Sequence, residues 1–227
     1  MLALKLGLSL VSTPILGTDW SPTDEVSLEA WYQNKVGLTF NGSDVSVWND
    51  SSPNGADMQQ ASAGKQPAYN VVTGGLTFVS SARDFLQTGT QITLTDDFTI
   101  GIRIYPDITA SGSFLGDNTE TGEKFKITGN DTMSITIGGT VKNFSLNSGT
   151  WGDDYLVITR SSDLITFWQN GVQQFDTETI SGICLIDAMA VRYNNVDNFD
   201  GVIQEIQFYS TSSAEITANV NARLSTL

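Results

Sequence analysis

Apolar and polar residues alternate with a period of two along most of this chain. Phe98, Ile100, Ile102 and Ile104 are separated by Thr99, Gly101 and Arg103, a pattern that predicts a strand with one buried face. In Ser27–Tyr32 the same pattern is expected to place Leu28, Ala30 and Tyr32 on one side. Gly74–Phe78 opens another strand, and further runs fall at 125–127, 133–137, 141–146, 155–160, 164–169, 172–175, 188–193 and 202–209. Between them stand Gly129-Asn130-Asp131, Gly138-Gly139, Ser161-Ser162-Asp163 and Asn170-Gly171, each a turn by its residue types. Roughly 12–15 strands without helical alternation predict an all-β sandwich or jelly roll. One segment alone carries helical spacing. Ile216, Val220 and Leu224 follow Ser212, the expected cap, and Glu215, the expected partner in a capping box, so a short C-terminal helix should pack on the sandwich.

The first residues alternate most strictly of all. Leu2, Leu4, Leu6, Leu8 and Leu10 are interleaved with Ala3, Lys5, Gly7 and Ser9. No basic segment precedes the apolar stretch and Lys5 interrupts it, so residues 1–18 read as an uncleaved β-arm rather than a signal peptide. The sandwich domain is expected over 19–227. A free strand with one apolar face invites pairing with a neighbouring sheet, which makes the five leucines a candidate interface and a homo-oligomer the expected state. No apolar run approaches the ~18–20 residues of a membrane helix.

Composition narrows the chemistry. The 227 residues carry a net charge of −14, and only 16% are charged. Such a chain is unsuited to binding phosphate backbones, and an anionic membrane repels it. The absence of histidine removes Ser-His-Asp, Cys-His and HExxH chemistry. The lone Cys184 lies in the apolar run Ile183–Ile186 and reads as a small core residue. Glycosidases need two carboxylates facing one cleft. Here Asp96-Asp97 and Asp153-Asp154 are adjacent pairs, which point to opposite faces or sit in turns. Glu205, expected to share a face with Ile203, reads as a partly buried structural carboxylate. No enzymatic activity is therefore expected. Four Asn-x-Ser/Thr sequons, at Asn41, Asn49, Asn130 and Asn143, carry no weight in a chain this rich in Asn, Ser and Thr. A sugar would need an aromatic platform beside polar loops. Trp168, Tyr193 and Trp151 qualify by type, and since strand neighbours alternate, Phe167 or Trp168 must face outward.

Five segments in order resemble the LamG-like branch of the concanavalin A-like lectin/glucanase jelly rolls. They are Leu28-Glu29-Ala30-Trp31-Tyr32, Val47-Trp48-Asn49-Asp50-Ser51-Ser52-Pro53-Asn54-Gly55, Gln66-Pro67-Ala68-Tyr69 with Leu76-Thr77-Phe78, Phe98-Thr99-Ile100, and Phe199 through Tyr209. Pro53 and Phe78-Val79-Ser80 depart from the family pattern, both in loops. The resemblance implies a two-sheet antiparallel jelly-roll sandwich. It also implies a possible calcium ion, for which Asp117, Asn118, Asp197 and Asp200, with Asn195 and Asn198, are the candidate ligands; solvated turn residues are the alternative. The segment from Leu4 to Pro14 resembles the N-terminal arm of tailed-phage virion proteins that carry such domains. That likeness implies a non-enzymatic bacteriophage virion structural protein, made in the host cytoplasm, that decorates or cements a capsid and contacts other virion proteins. The alternative is a carbohydrate-binding adhesin or receptor-binding module that takes a cell-surface polysaccharide.

Overall fold

The structure is a computed structural model that describes residues 20–107, 111–119, 122–145 and 151–227. The expected arm, with Leu2, Leu4, Leu6, Leu8 and Leu10, lies outside the described residues. Eighteen strands are described: β1 (Leu28–Tyr32), β2 (Leu38–Asn41), β3 (Asp44–Trp48), β4 (Met58–Gln59), β5 (Ala68–Tyr69), β6 (Leu76–Phe78), β7 (Leu86–Leu94), β8 (Phe98–Pro106), β9 (Gly112–Gly116), β10 (Lys124–Gly129), β11 (Thr132–Ile137), β12 (Thr140–Ser145), β13 (Asp154–Ser161), β14 (Leu164–Gln169), β15 (Val172–Gln173), β16 (Glu178–Thr179), β17 (Cys184–Met189) and β18 (Gly201–Tyr209). One helix follows, α1 (Ala214–Leu224).

All pairings between these strands are antiparallel, and they trace two layers. In the first, β1 and β6 share one edge of β18, whose other edge pairs with β8, then β13 and β14, with β15 and β16 beyond. The second runs β2–β3–β4–β7–β17–β9–β10–β11–β12. The short β5 pairs with both β3 and β6 and joins the layers. Rings meet across the interior: Phe144 of β12 stands edge-on to Phe167 of β14 at 5.7 Å, and Tyr32 of β1 lies 5.9 Å from Trp48 of β3. The all-β antiparallel sandwich with a short C-terminal helix is thus the observed fold.

Period-two strands meet their expectation where no bulge intervenes. Phe98, Ile100, Ile102 and Ile104 all enter the interior. The Gly138-Gly139 and Asn170-Gly171 turns close their hairpins with positive φ at both residues, which matches the twist of the flanking strands. Bulges change two faces. One between Leu28 and Ala30 leaves Ala30 and Tyr32 in the main core and sends Leu28 to the opposite face with Trp31. Another between Ile203 and Glu205 separates those two side chains, so they do not share a side. The strand expected over 188–193 is also corrected: β17 ends at Met189, and Tyr193 sits in a 3-10 turn, Tyr193–Asn195, whose Asn194 and Asn195 take positive φ.

Candidate functional site

The C-terminal helix is capped one residue later than expected. Ser213, not Ser212, accepts the Ile216 N–H through its hydroxyl at 3.1 Å, and Glu215 in the first turn and Arg223 in the last complement the helix dipole. Ile216, Val220 and Leu224 bury against the outer face of the first layer with Trp31, Val157 and Tyr209. Close approach depends on Gly101 of β8: a Cβ there would stand 2.3 Å from Val220 Cγ1.

Because α1 covers only part of that face, a groove of about 610 Å3 remains between the helix and β13–β14. Trp168 forms part of its wall. Its neighbour Phe167 is fully buried, so the strand turns Trp168 outward, where it is partly buried against the helix cluster. Thr159 and Thr166, directly opposed across β13 and β14, share a hydroxyl hydrogen bond at 2.8 Å within the groove. Asn221 gives its amide N–H to Thr217 O, and its buried Oδ1 has no hydrogen-bond partner among the described residues. An aromatic surface and paired threonine hydroxyls thus line one open site, with Asn221 on its helix side. Of these groups the sequence pointed only to Trp168. The opposition of Thr159 and Thr166 follows from counting outward from the Ser162-Asp163 turn, and Asn221 lies four residues beyond Thr217 on one helix face.

The other aromatic candidates lie elsewhere. Tyr193 belongs to the turn after β17 in the second layer, partly exposed. Trp151 is 4% exposed, has no partner for its indole N–H among the described residues, and borders a separate depression with Tyr105 and Asp200.

The expected calcium ligands fall into separately bonded groups. Asp117 is buried, and its Oδ1 accepts the Thr119 N–H. Asn118 is interlocked with Asn195 through two hydrogen bonds, and its own N–H reaches Asp187 Oδ1 at 2.6 Å. Asp197 is held by Lys126 at 3.0 Å and Arg192 at 2.5 Å. Burial pushes its carboxyl up, but hydrogen bonds from Arg192 and Lys126, and their charges, outweigh this and hold it below the ordinary carboxylate range. Asp200 accepts the Ser80 N–H and hydroxyl. Asn198 lies beside β9, in a bridge to Ser113. Among the described residues no group of three or more His, Cys, Asp or Glu is placed to hold a metal. As arranged, the donor set does not fit calcium, which takes six to eight oxygens; Asp197 would first have to surrender two cations.

The acidic residues weighed for catalysis are also engaged. Glu205 is fully buried beneath α1 and accepts from Arg223, Trp31, Gln207 and the Asn34 N–H. Asp153 pairs with Arg103, and Asp154 accepts from Gln169 and Asn170. Asp97 holds the Ser162 N–H. Among the described residues no helix is long and apolar enough to cross a membrane.

No protein-family model matches the chain, and no curated protein matches it by sequence. Solved structures do. It is similar to domain 4 of AbnA, an extracellular arabinanase of Geobacillus stearothermophilus solved with arabinotriose: TM-score 0.57, 13% identity, 88% of this chain and 98% of that one. It is similar to a botulinum neurotoxin type C, whose cell entry depends upon interaction with two ganglioside molecules: TM-score 0.54, 13% identity, 88% of this chain and 51% of that one. It is also similar to Trypanosoma rangeli sialidase: TM-score 0.52, 12% identity, 89% of this chain and 33% of that one. The chain therefore spans about a third of the sialidase and half of the toxin chain. At these identities the likeness establishes the β-sandwich fold alone.

Proposed function

We propose that this chain is a carbohydrate-binding β-sandwich that holds an oligosaccharide in the groove between α1 and β13–β14, by binding rather than hydrolysis. The observation that carries the reading is the outward Trp168 beside the paired Thr159 and Thr166 hydroxyls in one open groove. An indole face stacks on the C–H face of a pyranose, while threonine hydroxyls take sugar hydroxyls. The fold is compatible, since AbnA domain 4 was solved with arabinotriose. The engagement of Glu205, Asp153 and Asp154 with their own partners supports a role without acid–base chemistry. A glycan array followed by calorimetry on the best neutral oligosaccharide tests it. Saturable binding should weaken about tenfold in Trp168→Ala. An array without hits, or unchanged binding in that variant, overturns the proposal.

The sequence favours a finer setting, a bacteriophage virion surface. Its support is the leucine alternation of residues 1–18. A sugar-binding sandwich suits a particle surface, and the arm would join copies of the chain or other virion proteins. Deleting residues 1–16 should abolish self-association while the sandwich melts unchanged; an unaffected monomer removes this setting.

A further inference from the structure

Helix α1 runs along the strands rather than across them. The Thr99 hydroxyl of β8 donates to Thr211 O, just before the helix, at 2.9 Å. Arg103, further along the same strand, donates to Leu224 O at the helix end at 3.4 Å. The groove beside the helix is therefore straight and parallel to β13 and β14. Strand register divides its floor into levels: Trp168 stands opposite Val157, Thr166 opposite Thr159, and Leu164 opposite Ser161. Trp168, the threonine pair and Ser161 thus follow one another along the groove in steps of about 6.7 Å, a span of about 13 Å in all. Ala214 and Ala218, one turn apart, make the helix wall low above this floor. The floor offers a ligand side chains and no backbone groups. Strand β13 is paired on both edges, with β8 and β14, and β14 is paired with β13 on one edge and with β15 and β16 on the other. The chain carries 25 acidic and 11 basic residues, yet among the described residues that line the groove none is charged.

We propose that the ligand of this groove is a stretch of a neutral, extended β-1,4-linked glycan that lies along the strands, with one ring on Trp168 and later rings over the threonine pair and Ser161. This ligand class presupposes the sugar-binding role proposed above. A β-1,4 linkage between equatorial positions gives a straight ribbon, which keeps successive rings over a straight floor whose polar groups come at even steps. An α-1,4 linkage turns each ring relative to the last and coils the chain off the floor. An extended peptide is a poorer occupant, because its backbone would seek an unpaired strand edge and both floor strands are paired on both edges. A carboxylated sugar chain is poorer too, since the lining residues bring no cation to offset the water its charge would lose. Hydroxyls that meet hydroxyls carry no such cost.

Calorimetry of the full chain with cellohexaose, mannohexaose, maltohexaose and cellobiose tests the proposal. Cellohexaose or mannohexaose should bind about tenfold more tightly than maltohexaose, and Trp168→Ala should weaken that binding about tenfold. Its affinity should not change as salt rises to about 1 M, where charges are screened beyond about 3 Å. Ser161→Ala should weaken the hexaose about fivefold, the loss of one neutral hydrogen bond, and leave cellobiose unchanged, because a dimer seated on Trp168 does not reach Ser161. Unaltered melting of Ser161→Ala keeps the result specific to binding. Equal affinity for maltohexaose, a hexaose indifferent to Ser161→Ala, or uptake of neither extended chain while another glycan binds through Trp168 overturns the extended ligand and leaves the sugar-binding groove standing. Absence of Trp168-dependent binding by any glycan overturns both.

Discussion

Arg223 forks onto Glu205, its Nε and Nη2 lying 2.5 and 3.0 Å from the two carboxylate oxygens. This one pair ties the last turn of the helix to the middle of β18. Trp31 reinforces it twice: its indole N–H donates to Glu205 Oε1 at 3.0 Å, and its ring lies 4.7 Å beneath the guanidinium. Tyr209 extends the chain by donating to Gln207, which donates to Glu205. Burial, then Glu25 and Glu205, raises the Tyr209 pKa, which keeps the hydroxyl a donor.

Removal of Arg223 leaves a fully buried carboxylate without its cation. Arg223→Ala is expected to cost about 3 kcal/mol, the lower end of the range for a broken buried pair, because the arginine itself is partly exposed. Glu205→Gln keeps the shape and should cost less. Urea unfolding measures both; equal stability of wild type and Arg223→Ala would show that the pair adds nothing.

Much of this architecture was legible in the residues. Turn chemistry at Gly138-Gly139 and Asn170-Gly171, and the alternation through Phe98–Ile104, follow from backbone sterics and burial, which act locally. Burial obliges the indole N–H groups of Trp31 and Trp48 to find acceptors, and Glu205 and the Gln33 carbonyl supply them. What escaped was set by single extra residues. The bulges near Glu29 and Gln204 leave no mark in a period count, yet they decide that Leu28 and Glu205 face the helix. The candidate sites were half visible. Trp168 was found by alternation, whereas the place of Asn221 on the groove depends on where α1 docks.

Gly101 is where the helix meets the sheet most closely. Gly101→Ala places a methyl 2.3 Å from Val220 Cγ1 and 3.2 Å from Leu224 Cδ1, so the helix must shift or lift. A cost of about 1–3 kcal/mol is expected for this overpacking. Proteolysis should then trim the C-terminus of the variant first. A variant as stable as wild type would show that the helix re-seats without penalty.

Arg160 is a cation 1% exposed that takes its compensation from carbonyl groups. It donates to Gly182 O at 2.6 Å, to Leu94 O at 3.3 Å and to Asp96 O, with its guanidinium 4.8 Å from the Phe98 ring centre. It therefore joins the β7–β8 turn to the loop before β17. Arg160→Ala orphans these acceptors and is expected to cost about 3 kcal/mol or more; Arg160→Lys, a point charge without the planar fork, should recover only part of it. Full recovery in the lysine variant, measured by thermal unfolding, would mean that charge alone suffices.

Asp84 works against stability at neutral pH. Its side chain is buried and accepts the Val79 N–H, but burial, with repulsion from Asp44 and Asp200, raises its pKa above the usual value. A carboxyl whose pKa is higher in the fold than in the unfolded chain stabilises the fold when protonated, and that contribution is lost as pH rises through the folded value. Asn in this position keeps an acceptor oxygen and removes the charge. Asp84→Asn is therefore expected to melt above wild type at pH 7, with the gap closing as the pH falls toward the range where Asp84 itself is protonated. A gap that stays constant from neutral to acid pH would assign the difference to packing rather than to charge.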